Sequence, residues 1–520
     1  MKSLLSIAAL SLLFIACGSS QKSKTTSPQI TTDPSVYAAT ITQDDLKTAL
    51  YQFASDEFEG RETGAEGQKK AIKFLRDHYI SFGVPAAKKD GDYYQNVPLE
   101  VQSKPDVALT INGQALKNIE DFVSINPMET SQLQATEIVN LGYGIQDDAF
   151  SNYDNIDIKD KVVFFINGEP KNPDGTYVIS GTKTASKWSN FREEFALKRD
   201  LAQEKGAKAV LYYNPDVFAM AALRYGTSSG RMSLVGKDKS MFYFLVNTPT
   251  VTALFNKDVT SYDKSFKNEI LTANLSLDFT NNSKALASEN VAAIIRGSEK
   301  PDEYIIVSAH LDHEGIKKGE VYNGADDDGS GTVAVLEVAQ AFAKAKKEGH
   351  GPKRSIVFLN VTGEEKGLLG SRHYTDNDPI FPLANTVANL NIDMIGRTDP
   401  ERKEGDRNYI YLIGSDKLST ELHDISEMVN TKYTNVELDY TYNEENDPNR
   451  FYYRSDHYNF AKNNIPVIFY FNGTHDDYHK ASDTPDKIEY DLLENRTRLV
   501  FYTAWELANR EDRIVVDKGE

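Results

Sequence analysis

Only one cysteine, Cys17, occurs in 520 residues, so no intrachain disulfide is available even in an oxidising compartment. Signatures of several chemistries are also missing: there is no P-loop and no GxGxxG. No internal repeat or coiled-coil heptad is found either. Positive charge is in deficit, with 58 Lys and Arg against 77 Asp and Glu, a net charge of -19 and an isoelectric point near 5.1. That balance argues against nucleic acid or an anionic membrane surface as a partner.

What is present is an ordered set of side chains: His310, Asp327, Glu365, Asp393 and His479, with Glu364 directly before the third. Most of them follow short apolar runs that read as buried strands. YIIVSAH ends in His310, SIVFLNVTGEE in Glu364 and Glu365, NTVANLNID in Asp393, and IPVIFYFNG leads to the loop carrying His479. Sites in open α/β sheets form in the crevice beyond the carboxyl ends of the strands, so these strand ends are expected to converge. Asp327 lies in GADDDGSGTVAVLEVAQAFA, where Asp and Gly make a loop and the Val/Leu/Ala spacing after Gly331 reads as a buried helix.

Zinc takes His nitrogen and carboxylate oxygen, and its catalytic sites keep a position open for water. Two such ions about 3.5 to 4 Å apart need a shared ligand, which a carboxylate supplies with one oxygen to each. Asp327 suits the bridge, His310 and Asp393 complete one set, and Glu365 and His479 the other. Glu364 is left over as a general base, and Asp312 is expected to accept the second imidazole N–H of His310. Taken singly, a His-x-Asp is usually a surface pair, GEE a helix start and ADDDG a turn. The last lacks the spaced ligands and distant Glu of an EF-hand, which disfavours calcium. Their order at strand ends is what separates them from chance.

The stretches SAHLDHEG, NGADDDGSGT, NVTGEEKGLLGS, NIDMIGR and DYHKASDTPDKI resemble the co-catalytic zinc peptidases of metallopeptidase family 28, from about residue 290 to the C-terminus. That family includes bacterial double-zinc aminopeptidases, glutamate carboxypeptidases and the related glutaminyl cyclases. The resemblance implies an α/β fold with a mixed, mainly parallel central sheet flanked by helices. It also implies two zinc ions held by His310, Asp327, Glu365, Asp393 and His479, with Glu364 as base, Tyr478 as hydrogen-bond donor to the tetrahedral intermediate, and a cis peptide bond after Asp327. The expected activity is aminopeptidase cleavage of peptides. Carboxypeptidase or dipeptidase activity is the alternative, with Arg450 and Arg454 as candidates for holding a substrate carboxylate. A cyclase would use one zinc, against which the full ligand set speaks. A non-catalytic binding protein would be expected to have lost Glu364, His479 or Asp327. His313, His457 and His475 read as loop or supporting histidines, and Asp456 as a residue that orders the loop beside the pocket.

The rest of the chain reads as an envelope protein in several parts. Lys2 followed by LLSIAALSLLFIA is a signal peptide too short for a comfortable membrane span, and FIAC resembles a bacterial lipobox, making Cys17 the lipidation site. Residues 1–17 are therefore the lipoprotein signal and 18–38 a flexible tether. The expected location is the bacterial cell envelope, lipid-anchored, periplasmic or surface-exposed. Residues 39–124 and 256–520 are assigned to the peptidase domain, the first carrying two amphipathic helical stretches. Residues 125–255 are assigned to a smaller β-rich α/β insert: KVVFFIN, a helix ending near Gly206, GAKAVLYYN and MFYFLVN resemble a protease-associated domain.

Overall fold

The computed structural model describes residues 32–125, 128–190, 193–227, 230–236, 241–257 and 268–518. Cys17, the leader and the tether up to residue 31 lie outside the described residues. The end of the expected tether is not loose. Ser35–Ala38 is helical, and the buried Tyr37 ring stacks on Trp505 with centroids 5.7 Å apart. An aromatic ring that finds an apolar partner is worth more packed than solvated, so the packed chain begins before residue 38. No helix among the described residues is long and apolar enough to cross a membrane.

Two sheets organise the chain. The smaller has eight strands, four of them consecutive and parallel: Ser131–Asn140, Val162–Ile166, Ala209–Tyr213 and Phe242–Val246, side by side in chain order. VVFFI, AVLYY and FYFLV are buried throughout, as strands covered on both faces must be. Helix Glu194–Glu204 links the second to the third and ends just before Gly206, whose φ of 79° suits a residue without Cβ. Glu269–Thr280 pairs antiparallel with both Ser131–Asn140 and Asp106–Ile111, so this body runs from 106 to 280, wider than residues 125–255. The flanking strands alternate buried and exposed residues, a fainter signal than the solid apolar runs between them. Arg231–Leu234, inside this range in sequence, instead pairs with Tyr94–Gln102 of the other sheet.

That other sheet has nine strands. Its centre is parallel, in the spatial order Arg354–Val361, Lys300–His310, Thr386–Ile392, Val467–Phe471. Antiparallel strands flank it, Lys284–Ile295 on one side and Tyr409–Ile413 on the other, so the expected mixed sheet is present and its parallel part is the core. Helices Gly331–Lys347 and Tyr490–Asn509 cover it, together with Gln43–Phe53 and Glu66–Phe82 from the two amphipathic stretches near the N-terminus. From Lys300–His310 the chain moves to one neighbour, Arg354–Val361, and then crosses back to the other, Thr386–Ile392. The strand order reverses there, which opens a crevice at the carboxyl ends of the His310 and Thr386–Ile392 strands.

Candidate active site

The crevice is where the candidates meet. His310 closes its strand, Asp393 follows Ile392, Glu364 and Glu365 follow the strand ending at Val361, and His479 lies on the loop beyond Phe471. Asp327 sits in the bent segment Ala325–Ser330 ahead of helix Gly331–Lys347, and its peptide bond to Asp328 is cis.

The Asp327 carboxylate faces two ways. Its Oδ1 is 3.3 Å from His310 Nε2, which is 3.6 Å from Asp393 Oδ1. Its Oδ2 is 3.0 Å from His479 Nε2, which is 3.2 Å from Glu365 Oε2. His310 Nε2, Asp327 Oδ2, Glu365 Oε1 and His479 Nε2 are buried and lie in ion-pair contact with imidazoles or carboxylates around them, but none of the four makes a well-formed hydrogen bond. Orphaned polar atoms are expensive inside a protein, and four converging from imidazoles and carboxylates fit a site for divalent metal. Electrostatics agree. Burial opposes a charge on His479, but Asp327 and Glu365 outweigh it and hold the imidazole at about 9. A proton there does the work a cation would do.

The surrounding main chain is fixed by carboxylates that are not themselves candidates. Asp328, near enough to His310 and Asp393 to count as a donor, instead accepts the N–H groups of Gly331 (2.9 Å), Met394 (3.1 Å) and His310 (3.2 Å), tying three segments together. Asp483 accepts the N–H of Asp326 at 3.0 Å and of Asp327 at 3.2 Å. Ser455 Oγ donates to Asp393 Oδ2 at 2.7 Å. His313 Nδ1 lies 2.9 Å from Glu365 Oε1, and His313, Asp327 and Glu365 are close enough together to hold a metal ion; His475 Nε2 lies 3.3 Å from Asp326 Oδ2. Sequence reasoning missed Asp328, Asp483 and Ser455. Their signal was adjacency to candidates within NGADDDGSGT, DYHKASDTPDKI and RSDH.

Two expectations need correction. The carboxylate of Asp312 does not take the second N–H of His310: Nδ1 is 3.0 Å from the Asp312 carbonyl oxygen and 3.9 Å from its carboxylate. The turn after the strand aims the main chain at the ring. The carboxylate accepts Thr63 Oγ1 at 2.7 Å and the Glu364 N–H at 3.2 Å instead. Arg450 is the second. It lines a separate cleft with Lys417, Tyr442 and Glu444, because the 3-10 turn Phe451–Tyr453 sends Arg450 and Arg454 to different sides.

Arg454 does face the site. With Glu364, Asp393, Ser455 and Tyr478 it lines an open cleft walled by Met394, Phe451, Phe469 and Phe471. His457 is buried against Phe469, ring centroids 4.6 Å apart, and burial lowers it to about 3, the value of a neutral core residue. Asp456 accepts from Ser371 Oγ, joining its loop to the segment after Glu365.

Residues 290–504 match the sequence profile of peptidase family M28. Among curated proteins, a probable glutamate carboxypeptidase, LAMP1, of Arabidopsis thaliana is 34% identical over 119 residues, covering 23% of this chain and 16% of that protein. A probable zinc metalloprotease of Pyrenophora teres f. teres is 35% identical over 125 residues, 24% of this chain and 26% of that protein. The chain thus spans between a sixth and about a quarter of the length of these two relatives. Among solved structures, an aminopeptidase from Aneurinibacillus sp. strain AM-1 aligns over 94% of this chain and 99% of its own, with 19% identity and a TM-score of 0.46.

Proposed function

We propose, on the premise that this chain belongs to peptidase family M28 through residues 290–504, that it is a two-zinc aminopeptidase releasing N-terminal residues from peptides. The observation that carries this reading is the two-faced Asp327 carboxylate, with His310 and Asp393 on one side and His479 and Glu365 on the other. One shared carboxylate between two donor pairs is what neighbouring ions require. Zinc held there would polarise the scissile carbonyl and bring the pKa of water toward neutrality.

The chain's own groups supply the rest. Burial pushes the Glu364 carboxyl well up, opposed by His310 and reinforced by Asp393, Glu365 and Asp456. A carboxylate raised in this way accepts a proton from attacking water and returns it to the departing amine. Burial and the carboxylates of Asp327, Glu365, Glu364 and Asp393 raise the Tyr478 phenol. It therefore stays protonated at neutral pH and can donate to the oxyanion. The apolar wall of Met394, Phe451, Phe469 and Phe471 suits an apolar substrate side chain.

Arg454 supports a second reading. Its guanidinium lies over the Phe451 ring at 4.8 Å and fits a substrate carboxylate, as a carboxypeptidase would need. Peptides blocked at one end or the other separate the two. Acetylating the N-terminus should abolish cleavage by an aminopeptidase, whereas amidating the C-terminus should abolish it for a carboxypeptidase.

Location and access belong to the same proposal. The leader and Cys17 support a lipid anchor in the bacterial envelope. Cys17→Ser should then stop the protein sedimenting with membranes. The inserted body, read as protease-associated, would restrict access, so that short peptides are cut and folded proteins are not.

A further inference from the structure

Among the described residues three arginines, Arg61, Arg354 and Arg496, are fully buried, and two of them grip the main chain around the metal-site candidates. Arg61 donates from Nε to the carbonyl of Leu311 (3.0 Å), from Nη1 to those of Asn323 (2.6 Å) and Phe53 (3.2 Å), and from Nη2 to that of Gly324 (2.9 Å). One side chain thereby joins the residue after His310 to the loop that leads into Asp327. Arg496, on helix Tyr490–Asn509, donates from Nη1 to the carbonyls of Ile395 (2.8 Å) and Arg397 (3.0 Å), from Nε to that of Tyr409 (3.1 Å), and from Nη2 to that of Arg407 (3.4 Å). It holds the segment that leaves Asp393. Arg354 offers a contrast: it pairs with Glu303 and binds carbonyls of Leu507, Arg510 and Glu511 near the C-terminus.

A buried guanidinium is tolerated only when its N–H groups are bonded, and its planar fork fixes the relative position of whatever accepts them. A cation paired directly with Asp327 or Asp393 would occupy oxygens that a metal needs. Arg61 and Arg496 avoid this by spending these donors on carbonyls. Metal sites need ligands held within roughly 0.5 Å by supporting groups, and these two side chains brace the loops from behind.

We propose that Arg61 and Arg496 are positioning residues of the metal centre, clamping its ligand-bearing segments at the spacing two bridged ions require. The proposal rests on the two-zinc reading above. Arg61 reaches the neighbours of both His310 and the shared Asp327, so both ions depend on it. Arg496 reaches only the Asp393 side, so one ion depends on it.

Lysine keeps the charge and removes the fork, which isolates the clamp from the field. The test compares Arg61→Lys, Arg496→Lys and Arg354→Lys in the full chain, by zinc affinity against a chromophoric chelator and by the visible spectrum of the cobalt-substituted protein. Arg61→Lys should weaken both sites roughly tenfold to a hundredfold, the scale for losing supporting contacts to metal ligands. Arg496→Lys should weaken one equivalent and leave the other. Arg354→Lys should lower Tm while leaving zinc affinity and the cobalt spectrum unchanged. If Arg61→Lys does not fold, the selective loss in Arg496→Lys decides alone. Wild type with two tight equivalents, and variants that match it while merely losing Tm, overturns the clamp but leaves the zinc reading standing. Wild type that takes up no zinc overturns both.

Discussion

The chain builds a run of four parallel strands twice, but the strand order reverses only in the larger sheet. Each sheet contains four consecutive parallel strands with antiparallel flanks. In the smaller body the strand ends carry amides: Asn140, Asn167, Asn214 and Asn247. Most of these bond close by. Asn140 Oδ1 accepts the Gly142 N–H at 3.0 Å, Asn247 Oδ1 the Thr248 N–H at 2.8 Å, and Asn167 Nδ2 donates to Asp216 at 3.2 Å. In the larger sheet two of the corresponding positions hold His310 and Asp393, while Thr362 and Asn472 stand at the other two and the acidic pair and His479 come from the loops beyond them. A neutral amide finishes a turn locally, whereas clustered imidazoles and carboxylates suit a divalent ion. The reversal opens a crevice in the larger sheet alone, and the side chains at its rim make that crevice a candidate site.

The sharpest way to test that contrast is at the adjacent pair Glu364 and Glu365. Glu364→Gln should lower kcat by roughly a hundredfold or more with zinc content retained, while Glu365→Gln should lose zinc from one site and become dependent on added metal. Asn214→Ala, at an equivalent strand end in the smaller body, should leave kcat unchanged. Steady-state kinetics with elemental analysis decides, and comparable losses in all three would erase the distinction. Next in size is Asp483→Asn, which weakens the acceptor for the Asp326 and Asp327 N–H groups. It should cost about tenfold in zinc affinity, measured by chelator competition, with peptide cleavage restored at saturating zinc.

A third test uses pH on the metal-free protein. His479 sits at about 9 in the fold against roughly 6.5 when unfolded. Its contribution is therefore present below 6.5 and lost as pH rises from about 6.5 to 9. In the smaller body Lys198, buried and bonded to Glu194 and two carbonyls, is lowered to about 8 by burial, with Glu194 opposing. Unfolded lysine titrates near 10.4, so its contribution runs the other way, with stability rising between about 8 and 10.4. Hydrogen exchange corrected for intrinsic rates should show protection falling near Lys300–His310 and rising near Val162–Ile166 over these windows. His479→Ala should flatten the first trend alone. The smallest expected effect is at Arg454, where Ala should raise KM for substrates carrying a carboxylate and leave substrates with apolar N-terminal residues unaffected. A KM change shared by both kinds would mean that Arg454 shapes the cavity rather than reading charge.

How much of this was legible in the sequence follows from the kind of signal each feature leaves. His310, Glu365 and Asp393 stand at the ends of solid apolar runs, so their convergence could be read from periodicity and the geometry of open sheets. Asp328 and Asp483 act by accepting main-chain N–H groups from segments far away in sequence, and no spacing rule reports that. The Asp312 expectation named the right residue and the wrong atom, since carbonyl and carboxylate of one residue are indistinguishable until the turn is known. Arg450 and Arg454 looked alike because residue type says nothing of which way a 3-10 turn points them. The inserted body was read too short because Glu269–Thr280 and Asp106–Ile111 bury only alternate residues. The buried arginines left no pattern at all, since nothing in the residues beside them separates a buried guanidinium from an exposed one.

Arg231–Leu234 changes what can be exchanged between proteins built on this plan. In sequence it belongs to the inserted stretch, yet it forms the outermost strand of the nine-stranded sheet, with Leu234 opposite Leu99 and Arg231 opposite Gln102. Cutting the insert out at its two ends would therefore also unzip the host, leaving Tyr94–Gln102 as a bare edge with a row of unpaired main-chain groups open to pairing with another molecule. Taking Tyr94–Gln102 along with the graft would only move the bare edge to Lys284–Ile295, its other partner, so the smaller body and its host cannot be separated at the two ends of the insert without exposing a strand.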